Sequence, residues 1–110
     1  MQYVFDIDGT ICSFTGGSYK DAVPYTERIK EVNRLFAEGH TIIFYTARGM
    51  GSTNNNFAAA YAKMYDVTEK QLKSWGVKYH SLFLGKPYGD IYVDDRGVSD
   101  NEFFKGIKKE

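Results

Sequence analysis

Two aspartates stand two residues apart in the segment FDIDGTIC, directly after a short apolar run near the start of the chain. Asp6 and Asp8 would end a buried strand, where charged side chains do not help folding. Two carboxylates held close together can divide a reaction between them, one as the nucleophile and one as the proton donor and acceptor. The segment therefore predicts a chemical site at the end of the first strand.

Polar side chains also follow three later apolar runs. Thr46 and Arg48 follow TIIFY, and Lys86 follows SLFL. Asp94 and Asp95 follow the run IYV. Carboxylates crowded at one edge repel each other unless a cation joins them, and such oxygen ligands suit magnesium. A hydroxyl, an ammonium and glycine-rich backbone can bind phosphate oxygens. Together these groups predict phosphoryl transfer through an aspartyl-phosphate, with magnesium as the cofactor.

The elements that must position these residues alternate along the chain. The predicted strands are residues 2–7, 41–45, 81–84 and 91–93. Apolar residues recur at helical spacing after Pro24 and again over residues 57–65, which predicts two helices. Thr68 with Gln71 resembles a capping box that opens a third helix, and Ser99 would cap a fourth. This alternation predicts an α/β fold, a three-layer Rossmann-like domain with a mainly parallel sheet. In such sheets ligands bind outside the carboxyl ends of the strands, where the polar residues are expected to converge.

Length and composition exclude several other classes of protein. A chain of 110 residues predicts one domain, residues 1–110, and its fourteen acidic and fourteen basic side chains cancel. No nucleic acid or membrane partner is therefore expected from bulk charge. We expect a cytoplasmic protein, because we find neither a signal peptide nor a membrane span. Cys12 is the only cysteine, and without a histidine partner it is predicted to be a small loop residue rather than a nucleophile.

Four motifs resemble the signatures of the haloacid dehalogenase (HAD) superfamily, in the family's order. FDIDGTIC resembles the first, Asp-x-Asp-x-Thr after a strand, and YTAR resembles the second, a Thr or Ser that ends strand two. GKPYGD supplies the lysine of the third, and IYVDDR the acidic pair of the fourth. The resemblance spans residues 5–96. It implies a HAD-like hydrolase, a phosphatase that depends on magnesium.

The resemblance also implies a role for each matching residue. Asp6 would be the nucleophile, and Asp8 the general acid and base. Thr46, Ala47 and Lys86 would hold the phosphate, and Lys86 would also restrain Asp6.

The implied magnesium ligands come from both acidic motifs. They are Asp6, the backbone carbonyl of Asp8, Asp94, and Asp95 either directly or through water. Arg48, two residues after the phosphate-binding threonine, is a candidate substrate contact.

These motifs also allow three other interpretations. A calcium loop of the EF-hand type needs Gly and Glu where this chain has Ile11 and Gly17, so it fits poorly. A receiver-type signalling domain, which accepts phosphate without being an enzyme, uses a similar set of residues, but its acidic pair lies on strand one. A degenerate relative that only binds phosphate is a third alternative, although every expected catalytic position is filled.

The spacing between the motifs leaves no room for a cap domain. The resemblance therefore implies a capless member, which acts on a large substrate or is covered by neighbouring subunits. A homo-oligomer, or an ordered loop over residues 13–18, is expected to shield the site. Small capless members include phosphatases for sugar phosphates of polysaccharide biosynthesis, such as 3-deoxy-manno-octulosonate 8-phosphate phosphatase. A small phosphorylated substrate, and in particular a sugar phosphate, is therefore the expected partner, while a phosphoprotein or nucleotide stays open.

Overall fold

The sheet has three parallel strands that are neighbours both in sequence and in space. The computed structural model describes residues 1–109, and its strands are β1 (Gln2–Phe5), β2 (Thr41–Thr46) and β3 (Ser81–Leu84). The strand order is β1-β2-β3, with Phe5 beside Phe44 and Phe44 beside Leu82. The first three predicted strands are confirmed, although β1 ends one residue before Asp6.

Two long helices connect the strands, and a short one lies near the end of the chain. They are α1 (Thr26–Ala37), α2 (Phe57–Ser74) and α3 (Asp100–Phe103). The buried side chains of α1 include Ile29, Val32 and Leu35, which recur at helical spacing. As predicted, Ser99 caps α3, and its hydroxyl accepts a hydrogen bond from the Glu102 N–H at 3.2 Å.

The connection from β2 to β3 contains one continuous helix where the sequence predicts two. Asn56 caps α2, because its side chain accepts a hydrogen bond from the Ala59 N–H at 3.0 Å. The prediction that Thr68 opens a second helix is wrong. Its hydroxyl is buried and accepts a hydrogen bond from Arg48 Nη1 at 3.3 Å. It therefore binds a side chain that is distant in sequence and does not cap the backbone N–H groups of a helix.

The hydrophobic core lies on one face of the sheet. Phe5, Phe44 and Leu82 occupy neighbouring positions of this face, and buried residues of α1 and α2 belong to the same cluster. Both connections step in the same direction across the parallel sheet, from β1 to β2 and from β2 to β3. Since such connections are right-handed, both place their helix on the same face of the sheet.

The opposite face of the sheet is open and apolar. Val4 and Phe83 are 62% and 55% exposed there, beside a wide groove of about 510 Å³. Within residues 1–109, the second outer layer of the predicted three-layer arrangement is therefore not filled. Tyr45 is the one residue with a titratable side chain among the described residues that line the groove, so the groove offers little chemistry.

The predicted fourth strand, residues 91–93, is not a strand in this structure. Ile91 and Val93 are 80% and 90% exposed, although their sequence resembles that of a buried strand. Local hydrogen bonds shape this segment instead. The Tyr92 hydroxyl donates to the Pro87 carbonyl at 2.6 Å and accepts from the Gly89 N–H at 3.0 Å. A strand needs a partner edge, and no pairing of residues 91–93 occurs within the described chain.

The fold class is confirmed as an α/β domain with a parallel, Rossmann-like sheet. Each strand connection holds one long helix and a loop, so the expected absence of a cap domain between strands agrees with the described chain. Among residues 1–109, no helix combines the length and the apolar character that crossing a membrane requires.

Candidate active site

The carboxyl ends of the three strands open into one small cavity. Asp6 directly follows β1, Thr46 is the last residue of β2, and Lys86 stands two residues after β3. The cavity has a volume of about 160 Å³ and is lined by Asp6, Asp8, Phe14, Tyr19, Thr46, Ala47, Arg48, Lys86, Tyr88, Gly89 and Tyr92. The structure thus brings together the predicted site residues of the first three motifs.

Asp6 and Lys86 face each other across this cavity. The Lys86 Nζ lies 3.8 Å from Asp6 Oδ1, and the two side chains are 22% and 35% exposed. Burial raises the pKa of Asp6, while the Lys86 ammonium and a hydrogen bond with the backbone of Ile7 act in the opposite direction. The Asp6 carboxylate is thus poorly solvated and only partly compensated, so a further cation or donor beside it would stabilise its charge.

The turn at Gly85 brings Lys86 back over the strand ends. Gly85 has φ of 94°, a conformation that favours glycine, and a Cβ at this position would overlap the ring of Phe57. The Lys86 N–H donates to the Thr46 carbonyl at 3.2 Å, which ties the turn to the end of β2. Substitution of this glycine would therefore displace the lysine.

Asp8 is held by an arginine from the end of the neighbouring strand. Arg48 Nε donates to Asp8 Oδ2 at 2.9 Å, and Arg48 Nη2 donates to Asp8 Oδ1 at 3.0 Å. The Arg48 side chain is fully buried and that of Asp8 is 13% exposed. This bidentate geometry fixes the plane of the carboxylate, because both oxygens are restrained at once.

Arg48 is itself fixed by three different parts of the chain. Its Nη1 donates to the Thr68 hydroxyl at 3.3 Å, and its guanidinium lies 4.8 Å from the centre of the Tyr19 ring. Its backbone N–H donates to the Thr46 hydroxyl at 3.1 Å. Arg48 was predicted to be a candidate substrate contact, but its guanidinium is committed to Asp8 and Thr68.

Tyr19 and Thr68 are site residues that sequence reasoning missed. Tyr19 begins a short 3-10 helix (Tyr19–Asp21) in a segment without a recognisable motif, and Thr68 resembles a helix cap. A buried arginine needs partners, but the sequence did not indicate that Arg48 is buried. No local signal therefore identified the two residues.

Cys12 lies beside Asp8 but is not a reactive thiol. Its Sγ lies 3.6 Å from both Asp8 Oδ1 and the Ile7 carbonyl oxygen, either of which can accept its one S–H bond, and the residue is fully buried. Burial raises the pKa of Cys12 to about 12, and the neighbouring carboxylate of Asp8 adds to the rise. The side chain is therefore a neutral donor, in line with the prediction that it is not a nucleophile.

The structure does not bring Asp94 and Asp95 to the cavity. Neither residue lines it, and the Asp95 side chain is 88% exposed. Asp94 Oδ1 accepts N–H bonds from Arg96 at 2.7 Å and from Gly97 at 2.5 Å, and these bonds lower the pKa of Asp94. The expected convergence of all four motifs fails here because residues 91–93, which should carry the acidic pair to the sheet edge, are not a strand.

The donor set at the cavity suits only a sparse magnesium site. In residues 1–109, no three His, Cys, Asp or Glu side chains form a group that could hold a metal ion. The carboxylate oxygens of Asp8 are occupied by Arg48, which leaves the Asp6 carboxylate as the available charged ligand. Magnesium often binds through one or two carboxylates together with water and substrate phosphate, so this set fits that minimal type.

Comparisons with known proteins support the fold. No protein-family model matches the sequence, and no curated protein matches it. The crystal structure of an MCSG target from Vibrio cholerae is similar, with a TM-score of 0.86 and 25% identity over 94% of this chain and 87% of that one.

A second crystal structure is more distant. It is that of D,D-heptose 1,7-bisphosphate phosphatase from B. bronchiseptica, complexed with magnesium and phosphate. The TM-score is 0.54 at 15% identity, over 81% of this chain but only 51% of that one. This likeness shows that the two chains share a fold.

Proposed function

We propose that this chain is a magnesium-dependent phosphomonoester hydrolase of the HAD type that works through an aspartyl-phosphate on Asp6. One observation supports this above all others. A partly desolvated carboxylate, Asp6, faces the ammonium of Lys86 at a strand end, next to a second carboxylate, Asp8, that a buried arginine orients. The phosphatase with a similar fold adds support.

In the first step, an Asp6 carboxylate oxygen attacks phosphorus and the bond to the leaving oxygen breaks. Burial favours this role because it raises the pKa of Asp6, and a less well solvated carboxylate is the better nucleophile. Lys86, 3.8 Å from Asp6, would balance the negative charge of the phosphoryl group. The hydroxyl of Thr46 and the backbone at Ala47 would bind the other phosphate oxygens.

Asp8 would transfer the protons of both steps. Protonated Asp8 would give its proton to the departing alkoxide, and the resulting carboxylate would then take a proton from water as that water attacks the phosphoenzyme. Both oxygens of Asp8 accept N–H bonds from Arg48, which is the arrangement of the second, base step. In the first step, one Asp8 oxygen carries the proton and gives up its hydrogen bond from Arg48. The hydrogen bond to the other oxygen keeps the carboxyl group oriented.

Magnesium, when bound, would neutralise negative charge on the transferring phosphoryl group. Asp6 and the backbone carbonyl of Asp8 would hold it at this edge. Asp94 and Asp95 stay predicted ligands. They could bind the ion only if residues 91–98 moved toward the sheet edge, because in this structure neither side chain lines the cavity.

The test is phosphate release from a panel of phosphate monoesters, including sugar phosphates, with magnesium and with excess chelator. We expect multiple turnover that requires magnesium and is lost in Asp6→Asn. Asp66→Asn, an exposed position on α2, is the matched control and should retain full activity. Full turnover in chelator would contradict the proposal. A single uptake of phosphate followed by slow release would instead indicate a receiver-like domain.

A further inference from the structure

Four aromatic side chains line the cavity around the proposed phosphate site. They are Phe14, Tyr19, Tyr88 and Tyr92. Phe14, Tyr88 and Tyr92 are 73%, 60% and 51% exposed, and exposed rings that cluster at one cavity are typical of a binding surface. The proposed reaction gives the three exposed rings no task, so their place beside the site needs another explanation.

Two of these rings, those of Tyr88 and Tyr92, are held in position by specific contacts. The Tyr92 ring lies 4.5 Å from the Lys86 Nζ, and its hydroxyl bonds to the loop that follows β3. The Tyr88 N–H donates to Asn55 Oδ1 at 2.9 Å. The Tyr88 ring also packs at Gly51, where an added Cβ would lie 3.6 Å from it. The Tyr88 and Tyr92 rings are therefore ordered before a ligand arrives.

The cavity offers few charges to anything but the phosphate. Among its described lining residues, the basic ones are Lys86 and Arg48. Arg48 is committed to Asp8 and Thr68, and Lys86 faces Asp6. A second phosphate or a carboxylate on the substrate would find no basic partner in this lining. It would also meet the negative charges of the two aspartates.

The size of the cavity limits the ligand further. Its volume of about 160 Å³ is below the range of roughly 300–1,000 Å³ that drug-sized ligands occupy. A phosphate and one ring would fill it, and the exposed rings would cover the face of that ring.

We propose that the cavity binds phosphate monoesters with an uncharged leaving group that presents a flat apolar face, such as a monosaccharide ring or an aromatic ring. This inference rests on the proposed function, because it takes the polar end of the cavity as the phosphate site. Aromatic side chains bind such faces by stacking, and removal of the Tyr88 ring leaves the contacts of Tyr92 with Lys86 and of Tyr19 with Arg48 in place.

Equilibrium binding to Asp6→Asn tests this proposal without any need for turnover. The loss of the Asp6 charge also removes its repulsion of phosphate. By calorimetry, phenyl phosphate and glucose 6-phosphate should bind about three- to tenfold more tightly than ethyl phosphate. Adding Tyr88→Ala should abolish that advantage and leave ethyl phosphate unchanged, whereas Tyr88→Phe should retain it. Fructose 1,6-bisphosphate should bind no more tightly than fructose 6-phosphate.

Tyr61→Ala is the matched control, because Tyr61 is an exposed ring on α2 that does not line the cavity. It should leave all these affinities unchanged. Equal affinity for ring and ethyl esters, or tighter binding of the bisphosphate, would overturn the inference. Failure of the proposed function has a separate signature, since it would appear as the absence of magnesium-dependent phosphate release by the wild-type chain.

Discussion

Arg48 binds both carboxylate oxygens of Asp8, at 2.9 and 3.0 Å, although the two residues are forty positions apart in the sequence. The contact joins the ends of β1 and β2, because Asp8 follows the first strand and Arg48 the second. The arginine has no exposed surface, so its charge depends on Asp8 for compensation. The pair thus links the stability of the fold to the orientation of the proposed proton-transfer group.

The first prediction concerns the stability of this pair. Arg48→Met should lower the free energy of unfolding by about 3 kcal/mol, because it leaves the largely buried Asp8 carboxylate without its partner. The double variant Asp8→Asn with Arg48→Met should lose less free energy of unfolding than the two single variants lose together. Urea unfolding measures all three. Arg34→Met, whose ion pairs are on the surface, should lower the free energy of unfolding far less than Arg48→Met does. Additive losses for Asp8 and Arg48 would contradict the coupling.

The second prediction concerns the role of Asp8 as the general acid. Asp8→Ala should slow phosphoenzyme formation about a hundred- to ten-thousandfold for an alkyl phosphate, whose leaving oxygen is strongly basic. It should slow the reaction only mildly for p-nitrophenyl phosphate, because nitrophenolate leaves without a proton. Single-turnover measurements with saturating magnesium are needed, since Asp8 also acts in the hydrolysis of the phosphoenzyme. Equal losses for both substrates would mean that Asp8 only positions the site.

The third prediction concerns Lys86. Lys86→Ala should weaken the binding of inorganic phosphate about ten- to a hundredfold, because a charged donor to the phosphate is lost. The circular dichroism spectrum should stay that of the folded chain, since Lys86 lies on a turn outside the core. Lys30→Ala removes an exposed lysine of α1 and should leave phosphate binding unchanged. An unfolded Lys86→Ala variant would show that the lysine is structural.

Local sequence patterns were enough to predict the three strands and which polar residues follow their carboxyl ends. Each strand is an apolar run whose neighbours in the sheet are also its neighbours in sequence, so pairing follows from topology. That topology brings Asp6, Thr46 and Lys86 to the same edge. Residues 91–93 carry an equally strong local signal, yet a strand also needs an open partner edge at the right place. No local pattern reports whether such an edge is used.

The contacts of Arg48 could not be predicted for a similar reason. Its place after β2 indicated that it is near the site, but its burial depends on Tyr19 and on Thr68 of α2, which are distant in sequence. An exposed arginine in that position would face the substrate, whereas a buried one must be neutralised by the protein. The difference lies in tertiary packing, which spacing along the chain does not reveal.

The fourth prediction concerns the thiol of Cys12. Because burial raises its pKa to about 12, the native protein should react very slowly with iodoacetamide at pH 8, and the unfolded protein should react quickly. The unfolded thiol ionises near its ordinary pKa of 9.0, so the unfolded state binds fewer protons than the native state between about pH 9 and 12. The free energy of unfolding should therefore fall as the pH rises through this range.

Cys12→Ser keeps a hydroxyl donor toward Asp8 but does not titrate in that range. This variant should lose less stability between about pH 9 and 12 than the wild type does. Rapid alkylation of the native wild-type protein, or identical pH profiles for the two proteins, would contradict the buried, neutral thiol.

The most direct test of the account is to trap the phosphoenzyme. Radiolabelled acetyl phosphate and magnesium are mixed with the chain, the reaction is quenched in acid within a single turnover, and the peptides are mapped. We predict a label on the peptide that contains Asp6, stable in acid, labile to base, and absent in Asp6→Asn. The same label should persist longer in Asp8→Ala, because the water that hydrolyses it has lost its base. Rapid phosphate release with no labelled peptide, or a label on another residue, would contradict the aspartyl-phosphate on Asp6.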